Sequence, residues 1–374
     1  MNDILIIALS LALSITAGLI YIPGIVIISK HKNLYDQGGG RRPHKGNIPR
    51  TAGLAFFPTF ILAFFIPMVV ADLAGWWSGS DIRGYILEAA MLLTGLSLLY
   101  MMGFVDDLIG VSWRRKFAVQ FLAALMPLAA GMGVTDLDGL LGLHEVHPLL
   151  GAALTVFAVM LVVNAYNLID GIDGLCSSLS FFATVMLGAW FITHGMPGYA
   201  LLAVSIAGIT AVYFYYNTTH TRFRTFMGDT GSTNLAYIIV FLALTFYNRN
   251  TGAGADIDWH PMAILLGLMS LPLLDTARVF AVRISKGMSP FHPDKRHLHH
   301  KLLELGLTHL QCTLICFALQ ACTFGINYLL QEVNINIVVA VDLAFMLLYT
   351  LVIDALVRRR VAARLMEKKQ ENGN

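Results

Sequence analysis

The chain is divided into long apolar runs, each near the length of a helix that crosses a lipid bilayer. A spanning helix needs about 20 mostly apolar residues, and we count eleven such runs in the 374-residue sequence. The sequence therefore predicts an all-α integral membrane protein with about eleven transmembrane helices. The predicted spans are 3–29, 51–73, 85–105, 117–133, 148–166, 176–194, 198–217, 232–248, 261–284, 311–331 and 335–357.

The composition supports the same class of protein. Only 13% of the residues are charged, whereas a soluble globular chain has about 25%. The basic residues are scattered between apolar runs, so no basic patch points to a nucleic-acid partner. The first run follows Asp3 without a basic region before it, which favours a retained helix over a cleaved signal peptide.

The positions of lysine and arginine predict the orientation in the membrane. When the connections are numbered in order, 23 of the 25 basic residues fall in the odd-numbered connections, in the span ends beside them or at the C-terminus. Because basic residues collect on the cytoplasmic side, we expect the N-terminus outside and the C-terminus in the cytoplasm. We expect one membrane domain, 1–357, followed by a basic cytoplasmic tail, 358–374. The third odd-numbered connection is an exception, since it carries Asp170 and Asp173 and no basic residue.

Two adjacent carboxylates, Asp106 and Asp107, end the third predicted span in G-F-V-D-D-L-I-G. The helix dipole disfavours negative charge at a C-terminus, and adjacent like charges oppose each other's ionisation. A solvated turn would explain the pair. A general base or a cation-linked site would also explain it, with Lys116 supplying positive charge nearby.

The stretch N-A-Y-N-L-I-D-G-I-D-G-L places polar side chains at three-residue spacing after an apolar run. On a helix, Asn164, Asn167 and Asp170 lie along one stripe, and the glycines that follow predict its end. Asp173 then lies in a glycine-flanked turn. Ordinary turn chemistry is one explanation, but a calcium loop is excluded because its D-x-D-x-D-G order is absent.

A third motif, F-M-G-D-T-G-S-T-N, precedes the eighth span, with Asp229 between two glycines. Thr230 or Ser232 could cap the helix. Its N-terminus can bind an anion, and a carboxylate there can hold Mg²⁺ that bridges to a phosphate. The sequence lacks the order of a P-loop, and a capped glycine turn is the simpler alternative.

A fourth motif, D-K-R-H-L-H-H-K, concentrates imidazole and basic groups around His297, His299 and His300. A zinc site is a rival explanation, but the adjacent Lys295 and Arg296 would repel a cation. A phosphate-binding cluster fits this mixture better, and a solvated loop remains the alternative without function.

The first cytoplasmic loop, G-G-G-R-R-P-H-K-G-N-I-P-R, is basic and rich in glycine. It fits a loop that sets topology and attracts anionic lipid, or one that closes over a phosphorylated substrate. All the dense motifs thus fall on the predicted cytoplasmic side. They offer carboxylates for a divalent cation and basic groups for phosphates, which are the components of a phosphoryl-transfer site.

In this order, the motifs resemble the polyprenyl-phosphate N-acetylhexosamine-1-phosphate transferases. The match runs from H-K-G-N-I-P-R through F-V-D-D, N-A-Y-N-L-I-D-G-I-D-G-L and F-M-G-D-T-G-S to R-H-L-H-H. The R-H-L-H-H form is similar to the bacterial undecaprenyl-phosphate GlcNAc-1-phosphate branch. Two positions depart from the usual pattern, D-D-L-I-G-V and R-T-A-G, and neither changes the central carboxylates.

The resemblance implies that a sugar-1-phosphate passes from a UDP-sugar donor to undecaprenyl phosphate, with release of UMP and the start of a lipid-linked envelope glycan. It implies Mg²⁺, for which Mn²⁺ could substitute, and a site on the cytoplasmic face of the bacterial inner membrane. A homodimer is compatible with it. The implied metal ligands are Asp229 and Asn167, the implied catalytic residues are Asp106, Asp107 and Lys116, and the implied substrate contacts are Lys45, Asn164, Asp170, Gly171, Ile172, Asp173, Phe226, Arg296, His297, His299 and His300.

Several alternatives stay open at this point. The donor could be another UDP-HexNAc or UDP-MurNAc-pentapeptide, and either metal or uridine could contact Asn167, Asp170 and Asp173. Asp106 is the implied base, but a lipid phosphate monoester is already mostly dianionic near pH 7, since its second pKa is about 6. An ion transporter would use acids inside the spans, yet Asp275, Asp342 and Asp354 form no pair along the sequence. A structural lipid-binding subunit would leave Asp229 replaceable.

Overall fold

The fold is a bundle of long helices. The computed structural model describes residues 2–34, 48–77, 79–251, 260–289 and 296–371, and the side chains among these except 79–84 and 367–371. Within those residues there are twelve α-helices, a single 3-10 turn at Ala52–Ala55 and one antiparallel hairpin. The helices are α1 Asn2–His31, α2 Phe56–Leu73, α3 Gly79–Ile109, α4 Trp113–Ala129, α5 Pro148–Ile169, α6 Leu175–Thr193, α7 Pro197–Thr218, α8 Gly228–Asn250, α9 Pro261–Ser285, α10 Leu298–Glu304, α11 His309–Leu329 and α12 Ile335–Glu371, and the strands are β1 Asp136–Leu140 and β2 Leu143–Glu145.

The predicted all-α membrane architecture is confirmed. Ten helices in the described part of the chain are long and apolar enough to cross a membrane. The remaining predicted span, 117–133, is the fourth in order and corresponds to α4, which has only 17 residues. The hairpin was not predicted, and its Asp138 lies 2.6 Å from Nδ1 of His260, just before α9. Helix α12 continues without a break through the region predicted as a tail, as far as Glu371.

Helix α8 lies at the centre of the bundle. Its most apolar 18-residue stretch is entirely buried in the protein, whereas only 22% of the corresponding stretch of α12 is buried. Helices α3, α5 and α6 pack around α8. A buried helix has fixed neighbours on every side, so the groups at its N-terminus, Gly228 and Asp229, are held firmly.

Two glycines of α3 allow a close approach to α8. A Cβ atom on Gly95 would lie 2.0 Å from the Tyr237 hydroxyl, and one on Gly103 would lie 2.5 Å from Cα of Thr230. Small residues at helix crossings let backbones approach closely in membrane proteins. This contact brings the C-terminal end of α3, which carries Asp106 and Asp107, against the first turn of α8.

Helix α9 is kinked, and a side chain from α11 compensates for the lost backbone hydrogen bonds. Met269 has non-helical angles (φ −120°, ψ 15°), and Pro272 follows it. Oε1 of Gln320 accepts from the Leu271 N–H at 2.8 Å, and Nε2 of the same side chain donates to the Gly267 carbonyl at 3.1 Å. Because a freed backbone group in the membrane needs a partner, Gln320 stabilises the kink that directs the second half of α9.

Candidate active site

One lysine joins two of the predicted carboxylates. Nζ of Lys116, in the first turn of α4, donates to Oδ2 of Asp106 at 2.6 Å and to Oδ2 of Asp229 at 2.7 Å. All three side chains are at most one-quarter exposed. The other oxygen of Asp106 accepts from the Val111 N–H at 2.6 Å. Thus α3, α4 and α8 meet at one ammonium group, on a lysine side chain that is one-quarter exposed.

Asp107 accepts hydrogen bonds from the first turn of α8 and does not face the open part of the site. Its Oδ1 accepts from the Asp229 N–H at 2.8 Å, and its Oδ2 accepts from the Thr230 N–H at 2.9 Å and the Thr230 hydroxyl at 2.7 Å. Its side chain is only 4% exposed. The first N–H groups of a helix have no partner within the helix, and Asp107 supplies one from a neighbouring helix. Asp107 is therefore a cap for α8, and Gly228 beside it has φ +74°, with no room for a Cβ atom.

Arg50 is a further cation at this cluster, and it was not among the predicted site residues. Its guanidinium donates to Oδ1 of Asp229 at 3.5 Å and lies 4.0 Å from Oδ1 of Asp107. Two backbone hydrogen bonds hold it there, from Phe226 N–H to the Pro49 carbonyl at 2.8 Å and from Gly53 N–H to the Met227 carbonyl at 2.9 Å. The signal in the sequence was a single arginine after a proline at the end of the basic loop.

The two predicted asparagines on α5 have different neighbours. Nδ2 of Asn167 donates to the Ser232 hydroxyl at 2.9 Å, in the first turn of α8. Nδ2 of Asn164 instead donates to Oε1 of Gln120 on α4 at 2.8 Å. Asn167 therefore lies beside the turn that carries Asp229, while Asn164 joins α4 to α5 one helical turn away.

Asp173 organises the turn between α5 and α6. Its Oδ2 accepts from Nη2 of Arg224 at 2.6 Å, and its backbone carbonyl accepts from the Thr313 hydroxyl at 2.7 Å. Its N–H donates to Nδ1 of His309 at 3.3 Å. Gly174 follows with φ +79° and donates its N–H to Oδ1 of Asn217 at 2.6 Å. The turn is thus tied to the α7–α8 loop and to the start of α11.

The other predicted residues of this region lie around the same turn. Asp170 ends α5 and is half-buried, Gly171 is exposed, and Ile172 is buried. Phe226 is half-buried, two residues before α8 begins. The structure therefore places Asp170 and Gly171 at the surface of the site and Ile172 beneath it. Lys45 lies outside the described residues.

A buried carboxylate holds the histidine segment. Asp275, on the second half of α9, accepts from Nδ1 of His297 at 2.9 Å and from the Leu298 N–H at 3.2 Å. Nη2 of Arg278 donates to the same carboxylate at 2.6 Å and to the Arg296 carbonyl at 2.8 Å. With Asp275 accepting at Nδ1, Nε2 of His297 lies on the far side of the ring. Asp275 was predicted only as an acid inside a span and not as a site residue. Arg278, three residues later, is at the spacing of an ion pair on a helix.

The imidazoles of this segment stack and turn toward the α5–α6 turn. The rings of His297 and His299 are 5.6 Å apart and nearly parallel, and the ring of His300 lies 4.3 Å from that of His299. A Cβ atom added to Gly171 would be 3.7 Å from Nε2 of His299. Burial, and then the neighbouring His300, lowers the pKa of His299 well below its usual range. His299 is therefore neutral at pH 7.

Two imidazole nitrogens of the histidine segment are buried and unpaired. Within the part of the chain that the structure describes, Nε2 of His297 and Nε2 of His299 are buried without a hydrogen-bond partner. Buried polar groups are nearly always paired, so such atoms indicate a place for ligand atoms. Of the predicted residues, Arg296 and His300 lie in the same segment and are half-buried.

The expected divalent cation can be tested against these side chains. No three His, Cys, Asp or Glu side chains form a metal-binding group among the described residues. The cluster instead offers carboxylate oxygens of Asp106 and Asp229, already arranged around a cation, with the amide of Asn167 nearby. Mg²⁺ prefers oxygen ligands and usually uses one or two carboxylates, with water and substrate phosphates completing its shell. The donor set fits such an ion.

Comparison with known proteins gives a family match over the part of the chain that carries the carboxylates. The model of a family described as glycosyl transferase family 4 matches residues 89–247. That range includes Asp106, Lys116, Asn167, Asp173 and Asp229, and it excludes the histidine segment.

Curated relatives cover more of the chain. Undecaprenyl-phosphate alpha-N-acetylglucosaminyl 1-phosphate transferase of Escherichia coli K12 is 28% identical over 292 residues, which is 76% of this chain and 73% of the relative. The Salmonella typhi protein of the same name is 29% identical over 300 residues, 79% and 76% of the two chains. A probable undecaprenyl-phosphate N-acetylglucosaminyl 1-phosphate transferase of Bacillus subtilis is 28% identical over 315 residues, 83% and 81% of the two chains. The resemblance inferred from the motifs is confirmed: the chain is similar to these transferases over most of its length and to glycosyl transferase family 4 over residues 89–247, and it is a multi-pass membrane phosphoglycosyl transferase.

Proposed function

We propose that this enzyme transfers N-acetylglucosamine-1-phosphate from UDP-GlcNAc to undecaprenyl phosphate with the help of Mg²⁺. The observation that carries the proposal is the meeting of Asp106, Lys116 and Asp229 at the N-terminus of α8. The names of the relatives support the sugar and the lipid. The predominance of basic residues in the odd-numbered connections supports a site facing the cytoplasm of a bacterial inner membrane.

The proposed reaction exchanges one phosphorus–oxygen bond for another. An oxygen of the acceptor phosphate attacks the β-phosphorus of the donor. The bond from that phosphorus to the bridging oxygen breaks, and UMP leaves with the electron pair. Because the acceptor phosphate is mostly dianionic near pH 7, no proton has to be removed. We assign Asp106 the role of fixing Lys116 and not that of a base.

The cations of the cluster bind and orient the phosphates. Lys116 and Arg50 present positive charge on two sides of Asp229, and charge-assisted hydrogen bonds to phosphate are strong. Asp229 and Asn167 would hold Mg²⁺. A Mg²⁺ ion held there would supply positive charge next to the phosphates of the donor. Asp107 keeps the first turn of α8 in place and does not contact substrate.

The histidine segment and the α5–α6 turn would bind the remainder of the donor. Nε2 of His297 and Nε2 of His299 would contact the sugar or its phosphate, and Asp275 sets the ring orientation of His297. We place the nucleoside near Asp170 and the turn held by Asp173, with Phe226 stacking on uracil. Neutral His299 offers one N–H and one lone pair, which suits the hydroxyl or amide groups of an N-acetyl sugar.

Release of UMP by the purified enzyme tests the proposal. The protein would be incubated with undecaprenyl phosphate and Mg²⁺ and with UDP-GlcNAc, UDP-GalNAc or UDP-MurNAc-pentapeptide in turn. We expect UDP-GlcNAc to give the highest rate, EDTA to abolish it, and Mn²⁺ to restore it in part. UMP release at background level with all three donors would overturn the proposal.

A variant pair separates the metal site from general damage. Asp229→Asn should lose at least about 100-fold in turnover, since removal of one preorganised electrostatic group costs that much. Asp138→Asn, on the hairpin between α4 and α5, should keep the rate of the wild type. Paramagnetic resonance of bound Mn²⁺ gives a readout independent of activity. Equal Mn²⁺ binding by both variants would remove Asp229 from the metal site.

A further inference from the structure

A cavity lies between α9, α10 and α12, beside the histidine segment and away from the carboxylates of Asp106 and Asp229. Its volume is about 550 Å³. None of its lining side chains belongs to α3, α4, α5 or α8, the helices that supply Asp106, Lys116, Asn167 and Asp229. The charged side chains in its wall are Arg278, Lys286, Arg296, Lys301, Arg358 and Asp354.

The charge in this cavity is strongly unbalanced. Five of its six charged side chains are basic, and the single acid, Asp354, is already paired with Lys301 at 2.5 Å. Arg278 is engaged by Asp275 at 2.6 Å. Lys286 and Arg358 are exposed, and no described acidic side chain forms an ion pair with either. The cavity therefore attracts an anionic group, and the two exposed cations are the ones available to bind it.

The rest of the wall is aliphatic apart from Met346 and Thr350, and on α12 most of the apolar side chains precede the charged ones. Leu347 and Leu351 lie one helical turn apart in the cavity wall and are 54% and 57% exposed. Arg358 lies seven residues further on, which corresponds to about 10 Å along a helix. On α9 the order is Arg278, Val282 and Lys286, and the first of these cations is already paired with Asp275. Along α12 the cavity thus runs from the aliphatic Leu347 and Leu351 to the cation Arg358.

A phosphate joined to long acyl chains matches this gradient. We propose that the cavity binds an anionic phospholipid, with its phosphate on Lys286 and Arg358 and an acyl chain along Leu347 and Leu351. Basic side chains at the membrane surface attract anionic lipid by about 1 kcal/mol each. The bound lipid would lie next to Arg278, which contacts the carboxylate that holds His297. The proposal does not depend on which sugar the enzyme transfers.

Photo-crosslinking of a defined lipid tests the site. The full chain would be placed in phosphatidylcholine nanodiscs containing a trace of phosphatidylglycerol with a diazirine in its acyl chain. We expect adducts on the 346–351 segment of α12, and we expect unlabelled phosphatidylglycerol to compete for them. Lys286→Gln combined with Arg358→Gln should weaken this competition by at least about fivefold, the effect of one lost cation.

Two further variants complete the test. Arg359→Gln removes the neighbouring exposed charge, which is not in the wall, and should leave the competition curve unchanged. Leu351→Trp should fill the apolar end and reduce adducts while all the cations remain. Unchanged competition in the double variant, or an equal loss in Arg359→Gln, would overturn the proposal.

Competitors identify the source of the phosphate. Inorganic phosphate at millimolar concentration should not displace the labelled lipid, because it lacks the acyl chains. Polyprenyl phosphate should compete more weakly than phosphatidylglycerol. Displacement by inorganic phosphate would assign the cavity to a soluble anion, and stronger competition by polyprenyl phosphate would assign it to the acceptor. Either result contradicts a phospholipid site.

Discussion

Replacing Asp107 by asparagine should damage the protein more than the same change at Asp106, although the two residues are adjacent. Asp107 accepts three hydrogen bonds at the N-terminus of α8. Asparagine offers one carbonyl oxygen, and its NH₂ group would face a donor. If the oxygen keeps both Thr230 donors, the N–H of Asp229 loses its partner. Asp106→Asn loses less, since its hydrogen bond from Val111 can persist and Lys116 keeps Asp229.

The size of the effect follows from these contacts. A buried donor without an acceptor costs about 1–3 kcal/mol. The lost negative charge at a helix N-terminus costs about 1 kcal/mol more. We therefore expect Asp107→Asn to lower the free energy of unfolding by about 3 kcal/mol, or on the order of 5 °C in melting temperature. Displacement of the Asp229 side chain should also reduce turnover, by about 100-fold for a shift near 1 Å.

The cysteines of the chain provide the assay. Cys176, Cys312 and Cys316 are buried, so a thiol-reactive dye reports their exposure on heating, and Cys322 is exposed and would be replaced by serine throughout. We expect Asp107→Asn to melt well below Asp106→Asn. Equal melting temperatures for the two variants would refute the assignment of Asp107 as the cap of α8.

Three further results are expected. Gly228→Ala should abolish activity, because its Cβ would lie 2.5 Å from Oδ2 of Asp107. The control Gly110→Ala has a similar φ of +75° and open space around it, and should cost only about 1 kcal/mol of stability. Similar melting curves for the two variants would contradict this. Lys116→Met should lose turnover yet bind Mn²⁺ about fivefold more tightly in paramagnetic resonance, because one positive charge leaves the carboxylates; weaker binding would contradict the assignment. Below a pH of about 6.5, His299 binds a proton in the unfolded chain but not in the folded one, so the free energy of unfolding should decrease by up to about 1.4 kcal/mol for each unit that the pH is lowered. The melting temperature of His299→Gln should therefore fall less steeply on acidification. An equal slope for the two proteins would contradict a neutral His299.

The spanning helices could be predicted closely, because the length of an apolar run is a local property. The predicted span 261–284 became Pro261–Ser285, and 148–166 became Pro148–Ile169. Helix α4 begins and ends four residues earlier than predicted. Its polar first turn is helical although it is not apolar, and the helix ends before Gly131, whose φ is +80°. The kink of α9 could not be predicted in detail, since it depends on Gln320 from a distant helix.

The site could be predicted in composition but not in arrangement. The carboxylates were found because they interrupt apolar runs, and their grouping follows from helix ends on one side of the bundle. Asp106 binds Lys116 and Asp107 caps α8. Which of the two side chains reaches α8 is decided by helix packing and could not be predicted. Arg50 and Asp275 were not predicted as site residues, because their partners, Asp229 and His297, lie 179 and 22 positions away in the sequence.

The fate of the donor's β-phosphate tests the central claim most directly. UDP-GlcNAc labelled with ³²P at the β-position would be incubated with the purified enzyme, undecaprenyl phosphate and Mg²⁺, and the lipid would then be extracted. Transfer of sugar-1-phosphate predicts that the label enters the lipid fraction in equal amount to the UMP released, and that Asp229→Asn shows neither. Label that stays in water-soluble UDP while sugar enters the lipid, or label that remains in intact donor, would contradict the account.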